Sequence, residues 1–119
     1  MTDSARVFAR PVFARFRRIC LALPHAVEAW SWNHPVFRVG TKTFCAFELI
    51  KGRPSVAFRV PADHANRFLR KRHFFATPYG RDVWMSRWVD VAVDPKSLAP
   101  HIAASYGLVA PKRLRRVVP

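Results

Sequence analysis

The chain has 119 residues, of which 50% are hydrophobic, and this length and composition are typical of one domain with a single core. Its 21 Lys and Arg residues against 7 Asp and Glu give a formal net charge of +14, which favours nucleic acid, an anionic membrane surface or an acidic protein as partner. The scarcity of carboxylates disfavours enzymes and metal sites that depend on clustered acidic groups. No apolar run approaches the roughly 20 residues that would span a bilayer, so we predict no membrane-spanning segment. Among the three kinds of partner we favour nucleic acid or an acidic protein, and we predict no membrane partner.

We divide the chain into an N-terminal extension, residues 1–10, and a single domain, residues 11–119. A helix is predicted between Pro11 and Pro24, because apolar residues recur at helical spacing and the two prolines suit its start and its end. The arginines of this segment fall outside the apolar stripe. The pattern therefore predicts one buried helix face and one basic face.

Two cysteines, Cys20 and Cys45, lie within apolar stretches and are predicted to be buried free thiols. Buried free thiols suit a reducing compartment, so we predict a cytoplasmic protein. We expect it to be a monomer or a weak dimer.

Three strand-like segments follow the first helix, at residues 36–39, 43–50 and 55–60. The Gly40-Thr41 pair and residues 52–54 are turn signals between them, so the segments are predicted to form an antiparallel meander. Apolar side chains alternate with others along these strands, and Arg38 and Arg59 fall opposite the apolar set. This alternation predicts a sheet with one covered face and one arginine-bearing face.

A second helix, residues 61–72, and a second β-rich stretch, residues 74–93, are predicted next. The proline-tyrosine-glycine run at 78–80 breaks this stretch. Alternation after the break places three side chains on one face of a strand: Trp84, Ser86 and Trp88.

The last helix is predicted to begin at Asp94-Pro95, because an N-cap acceptor precedes a proline in the first helical position. Gly107 is predicted to close this helix, since glycine accepts the left-handed backbone of a C-terminal cap. A short basic tail, VAPKRLRRVVP, follows it.

The sequence shows no motif for a metal site or for catalysis. Its five histidines form no pair at metal-ligand spacing, and there is no C-x-x-C. A nucleophile elbow and a glycine-rich phosphate loop are also missing. We therefore expect a non-enzymatic protein without metal or other cofactor, and an enzyme of unrecognised type is the weakest alternative.

Basic side chains are concentrated in three clusters with almost no acid between them, on the first helix, on the second helix and in the C-terminal tail. The hairpin turns add further lysines and arginines. One such cluster alone is most often a solvated surface, whereas three together favour a surface that binds polyanions. The alternative is a basic composition without any binding role.

Five stretches occur in an order that resembles the MmcQ/YjbR family of small bacterial proteins: CLALPHAVE (20–28), WNHPVFRVGTKTFCAF (32–47), GRPSVAFRVP (52–61), PYGRDVWMS (78–86) and SYGLVAPKR (105–113). The resemblance implies an α+β, two-layer sandwich like that of the bacterial frataxin CyaY, with helices on one side of an antiparallel sheet. It also implies DNA binding through two β wings, and it names no catalytic residues. Iron binding does not follow, because the acidic ridge of frataxins has no counterpart in the arginine-rich first helix.

We therefore predict a DNA-binding protein of low sequence specificity that contacts phosphates through hairpin and C-terminal residues. The predicted contacts are Lys42, Lys51, Arg53, Arg81, Lys112, Arg113, Arg115 and Arg116. The alternative is a non-enzymatic module that binds an acidic protein partner or a small anionic ligand. A pocket for such a ligand would be lined by Trp30, Trp32, His34 and Tyr79.

His34 precedes Pro35, which restricts it to extended backbone and predicts the start of a strand. No partner motif accompanies this histidine. We expect its ring to satisfy a nearby backbone group, while Trp32 and Phe37 pack against the first helix, and we favour this structural role over contact with a ligand.

Overall fold

The structure is a computed structural model, and it describes residues 3–78 and 83–115. Its helices are α1 (Asp3–Phe8), α2 (Pro11–Leu21), α3 (Ala65–Leu69), α4 (Pro95–Val109) and α5 (Lys112–Arg115), with a 3₁₀ turn at Ala62–His64. Its strands are β1 (Val27–Ser31), β2 (His34–Val39), β3 (Lys42–Ile50), β4 (Arg53–Arg59), β5 (Phe74–Ala76) and β6 (Trp84–Trp88). They form one antiparallel sheet in the order β1-β2-β3-β4-β6-β5.

Tight turns join the first four strands, so each of them pairs with the next along the chain. Gly40 (φ +61°) lies in the β2–β3 turn and Gly52 (φ +80°) in the β3–β4 turn. The β1–β2 turn instead places Trp32 (φ +51°) and Asn33 (φ +66°) in the left-handed region. Two successive residues with positive φ are typical of a type I′ hairpin turn, and a bulky residue adopts this backbone only at a cost.

The main core lies between the helices and one face of the sheet. α2 buries Phe13 and Phe16 there, and α4 buries Ile102. From β3, the fully buried ring of Phe47 lies 4.8 Å from the ring of Phe13 and 4.9 Å from that of Phe37, measured between centroids. These contacts join α2 to the centre of the sheet.

Hydrogen bonds hold α4 in place at both of its ends. The carboxylate of Asp94 accepts a hydrogen bond from the backbone N–H of Lys96 at 3.0 Å, which caps the N-terminus of the helix. The buried hydroxyl of Ser105 donates to the carbonyl of Phe44 at 2.6 Å and accepts from the backbone N–H of Arg59 at 2.8 Å. Ser105 therefore fastens α4 to two adjacent strands, β3 and β4.

Ser105→Ala is expected to lower the free energy of unfolding by about 2 kcal/mol, because it leaves a buried N–H and a buried carbonyl without their partner. Ser97→Ala, in the exposed first turn of the same helix, is the matched control and should cost much less. Urea denaturation of both variants measures the difference. Equal losses in the two variants would show that the hydroxyl of Ser105 contributes no more than an exposed one.

The α+β two-layer sandwich is confirmed, and so are the meander, the buried free thiols and the helix start at Asp94-Pro95. β1 was not predicted, nor was α1 within residues 1–10, where Phe8 is 1% exposed in the main core. The predicted helix over 61–72 is wrong in length. This segment forms the 3₁₀ turn Ala62–His64 followed by the five-residue helix α3. Phe68 is the buried residue of the two elements, so little apolar packing is available to stabilise a longer helix. Among the described residues, no helix has the length and apolar character needed to cross a bilayer.

Candidate functional site

The face of the sheet away from the helices carries a second, smaller cluster built from strand residues. Val36, Ala46 and Ala57 are paired across β2, β3 and β4 and are buried, and Trp84 of β6 packs against them. No helix in the described part of the chain contributes a buried residue to this cluster. We call the surface formed by the side chains on this side of the sheet the open face.

A hollow of about 240 Å³ lies on the open face. Ala46 and Ala57 line it together with the larger side chains of His34, Glu48 and Trp84. The two alanines explain the hollow, because their methyl groups leave space between larger neighbours in the paired strands. The hollow is therefore apolar at its centre and carries titratable groups at its edge.

Trp32 also lines the hollow, and its side chain is 92% exposed. The expectation that Trp32 packs against the first helix is wrong, whereas Phe37 is fully buried in the main core as expected. Trp30 lies on the other side of the sheet, with its ring centroid 6.0 Å from that of Phe8 of α1. Trp30 and Trp32 are two positions apart in the sequence but therefore lie on opposite faces of the sheet.

Two arginines flank the hollow beside Thr43. The guanidinium of Arg59 lies 5.1 Å from the ring centroid of Trp84 and donates through Nε to the carbonyl of Thr43 at 3.2 Å. Nε of Arg38 lies 3.4 Å from the hydroxyl of Thr43. A guanidinium has five N–H donors, so most donors of both arginines remain available to a ligand.

Trp88 lies further along the same face of β6, between an aromatic ring and a cation. The ring of Trp88 stacks on Phe75 with the ring centroids 4.1 Å apart. The guanidinium of Arg53 lies 4.0 Å from the ring centroid of Trp88. Arg53 also forms a two-point ion pair with Asp90, at 2.7 and 3.0 Å. Hydrogen bonding to Arg53 lowers the pKa of Asp90, so the charge of Arg53 is balanced near neutral pH.

Ser55 is the neighbour of Glu48 and of Trp88 across the strands. It is fully buried, and its hydroxyl has no hydrogen-bond partner among the described residues. A buried hydroxyl without a partner costs free energy, and Ser55 does not line the hollow.

Glu48 and His34 face each other across β3 and β2 at the edge of the hollow. Burial raises the pKa of Glu48, and attraction to His34 opposes part of that rise. The Nδ1 atom of His34 lies 3.4 Å from the carbonyl oxygen of Pro35. The predicted structural role of His34 thus remains a prediction, because its ring lies both near the backbone and against the hollow.

Glu48→Gln is expected to raise the melting temperature at pH 7 and to change it little below about pH 4. The pKa of Glu48 is higher in the folded than in the unfolded protein. The protonated carboxyl therefore favours the folded state below the unfolded pKa, and this stability is lost as the pH rises through the folded pKa. Glutamine is neutral throughout and avoids this loss. Thermal melts at both pH values test the expectation.

Glu28→Gln is the control for that experiment, because Glu28 forms an ion pair with Arg17 at 2.6 Å. Removal of the charge of Glu28 should lower the melting temperature of the protein at pH 7. A Glu48→Gln protein that melts below the native chain at pH 7 would mean that the carboxylate has a stabilising partner instead of a burial penalty.

The predicted phosphate contacts occupy two ends of the sheet. Lys42 begins β3, and Lys51 follows its last residue, so about 30 Å of strand separates them. The hydrogen bonds of Ser105 to Phe44 and Arg59 bring the C-terminal half of α4 near the Lys42 end. α5, with the exposed Lys112 and Arg113, follows α4 in the chain. Lys42 and Lys51 therefore lie at opposite ends of β3, with Arg53 beside Lys51.

Tyr79, Arg81 and Arg116 lie outside the described residues, and Arg115 closes α5. Trp32 and His34 of the predicted ligand pocket line the hollow, and Trp30 does not. Sequence reasoning did not select Arg38, Arg59 or Trp84 as site residues, although alternation had assigned each to one side of a strand. Within residues 3–78 and 83–115, no group of three or more His, Cys, Asp or Glu is placed to hold a metal ion.

Two solved structures share this fold. A Deinococcus radiodurans protein with a domain called DUF419 superimposes with a TM-score of 0.67 and 21% identity, over 86% of this chain and 83% of that one. A Pseudomonas syringae protein superimposes with a TM-score of 0.63 and 12% identity, over 91% of this chain and 98% of that one. A search among curated proteins found no significant match.

The sequence itself matches the family model named YjbR over residues 21–108. The matched region begins at the end of α2 and extends into the last turn of α4, so it includes every strand of the sheet and the whole open face. The chain belongs to the YjbR family.

Proposed function

We propose that this protein binds nucleic acid, and DNA in particular, through phosphate contacts with little sequence preference. The observation that carries the proposal is the excess of unpaired cations. Among the described lysines and arginines, Arg17 and Arg53 are the two that form an ion pair with a carboxylate. The others contribute an uncompensated positive field, which attracts polyanions and gains affinity by releasing their counterions.

The spacing of the basic ends suits an extended polyanion better than a compact one. Lys42 and Lys51 are separated by about 30 Å, which corresponds to roughly nine base pairs at about 3.4 Å each. A single phosphate group could contact one end only. Along a duplex, both ends and the arginines of the open face could contact phosphates at once.

The proposal describes a binding protein rather than an enzyme, acting in the cytoplasm as a monomer or weak dimer. It fits the family resemblance, in which two β wings contact DNA. The β2–β3 and β3–β4 hairpins carry Lys42 and Lys51 at their turns and are the natural counterparts of such wings.

Titration of a fluorescent duplex with the full-length chain at several salt concentrations tests the proposal. If four to six phosphates are neutralised, the slope of log affinity against log salt should be about −4 to −5. A duplex of the same length with scrambled sequence should bind with nearly the same affinity. A chain that does not bind duplex or single-stranded DNA at low salt would refute the proposal, because electrostatic attraction is greatest there.

A small anion is the second candidate ligand, favoured by a cavity of about 250 Å³ lined by His64, Arg67, Phe68, Lys71 and His101. Burial, aided by Lys71, lowers the pKa of His101. Bound inorganic phosphate should raise the pKa of His101 in an NMR titration. The signals of the exposed His25 should not move when phosphate is added at constant pH. If the pKa of His101 does not change at saturating phosphate, a small anion is excluded as the ligand of this cavity.

A further inference from the structure

The open face combines three features that nucleic-acid phosphates alone do not require. It has a hollow between the strands, aromatic rings at and around that hollow, and arginines beside it whose donors remain available. Trp32 is 92% exposed and has a left-handed backbone (φ +51°). This backbone conformation costs free energy for a bulky residue, and because the indole is not buried, no packing of the indole offsets that cost. Such an arrangement is typical of a surface that contacts flat rings attached to charged groups.

The size and lining of the hollow restrict the ligand. Its volume of about 240 Å³ is below the range of pockets for drug-sized molecules, so it suits one small planar group. Trp32, which is 92% exposed, offers a ring for stacking, and Trp84 adds an aromatic wall that packs on the strand cluster. Glu48 and His34 offer polar atoms to the edge of a ring. The carboxyl group of Glu48 disfavours a small anion inside the hollow, whereas a neutral ring tolerates it.

Charge beside the hollow indicates what the planar group is attached to. Arg38 and Arg59 flank Thr43, which lines the hollow, and neither forms an ion pair with a described carboxylate. A phosphate joined to a ring in the hollow would therefore meet two cations at its edge.

We propose that the hollow of the open face binds an unpaired base of single-stranded nucleic acid, stacked against Trp32 and Trp84, while Arg38 and Arg59 contact the adjacent phosphates. This inference rests on the proposed function and adds a site for bases to it. Bases in a duplex are stacked on one another and cannot enter the hollow. The open face should therefore prefer single strands, whereas the basic ends contact phosphates of either form.

Two oligonucleotides of equal length and charge separate base contacts from phosphate contacts: oligothymidylate and its abasic counterpart. The full-length chain should bind the base-bearing strand roughly tenfold more tightly, the size expected for one stacked base. Trp32→Ala should remove most of that preference. Since Trp32 is exposed, this variant should fold normally. Trp84→Leu should have the same effect, and the Trp32 variant decides the matter if Trp84→Leu does not fold.

Trp30→Ala is the matched control, because Trp30 is half exposed but lies on the helix side of the sheet. It should leave the preference for the base-bearing strand intact. Equal binding of the two strands by the native chain would overturn the inference and leave the phosphate proposal standing. Loss of the preference in Trp30→Ala as large as in Trp32→Ala would also overturn it. Failure to bind either strand at low salt would remove the proposed function and the inference together.

Discussion

Replacing Lys42, Lys112 and Arg113 together by glutamine is expected to flatten the salt dependence of DNA binding by about two to three units of slope. All three side chains are exposed, and Lys112 and Arg113 follow α4, whose Ser105 is hydrogen-bonded to Phe44, two residues from Lys42. Each lost phosphate contact releases fewer counterions, and affinity at low salt should fall accordingly, whatever the DNA sequence. The measurement is a set of binding titrations across salt concentration, compared with the native chain.

The control carries the same change of charge on the helix side, at the exposed Arg6, Arg15 and Arg18 of α1 and α2. It should alter the slope much less, since none of these three arginines is among the predicted phosphate contacts. If both triple variants reduce the slope equally, net charge alone determines binding and the Lys42 end has no special role.

Phe47→Ala is expected to lower the free energy of unfolding by about 4 kcal/mol. The ring is fully buried and lies within 5 Å of the rings of Phe13 and Phe37, so its removal leaves a cavity where α2 meets the sheet. Chemical denaturation provides the measurement. A loss of this size is a large part of the stability of a domain, which is about 5–15 kcal/mol.

Leu49→Ala is the control for Phe47→Ala, because Leu49 lies two residues further on the same strand and is 36% exposed. It should cost about 1 kcal/mol or less. A comparable loss in the two variants would contradict the position of the main core on this face of β3.

Local patterns predicted the faces of individual strands but not how the strands assemble. Alternation along β4 separated Arg59 from Phe58, and alternation along β6 grouped Trp84 with Trp88. The contact between Arg59 and Trp84 depends on the pairing of β4 with β6, which skips β5 in the order of the sheet. No periodicity within one segment carries that information.

The predicted ligand pocket shows the same limit in another form. Trp30 and Trp32 were grouped because they are close in sequence, but one belongs to β1 and the other to the turn that follows it. β1 was missed because its exposure is irregular: Val27 and Trp30 are exposed although both are apolar, so no clear alternation marks the strand. Tertiary packing, rather than the local sequence, determines its place at the edge of the sheet.

The four tryptophans provide the most direct test that the open face is the nucleic-acid surface. Trp32, Trp84 and Trp88 lie on that face, whereas Trp30 lies on the helix side. Assigned indole N–H resonances of the full-length chain should be followed during titration with a single-stranded oligonucleotide. The structure predicts that the signals of Trp32 and Trp84 shift most, that Trp88 shifts less, and that Trp30 stays in place. A saturable shift of Trp30 with the other three unchanged would place the contact on the helix side and contradict the account.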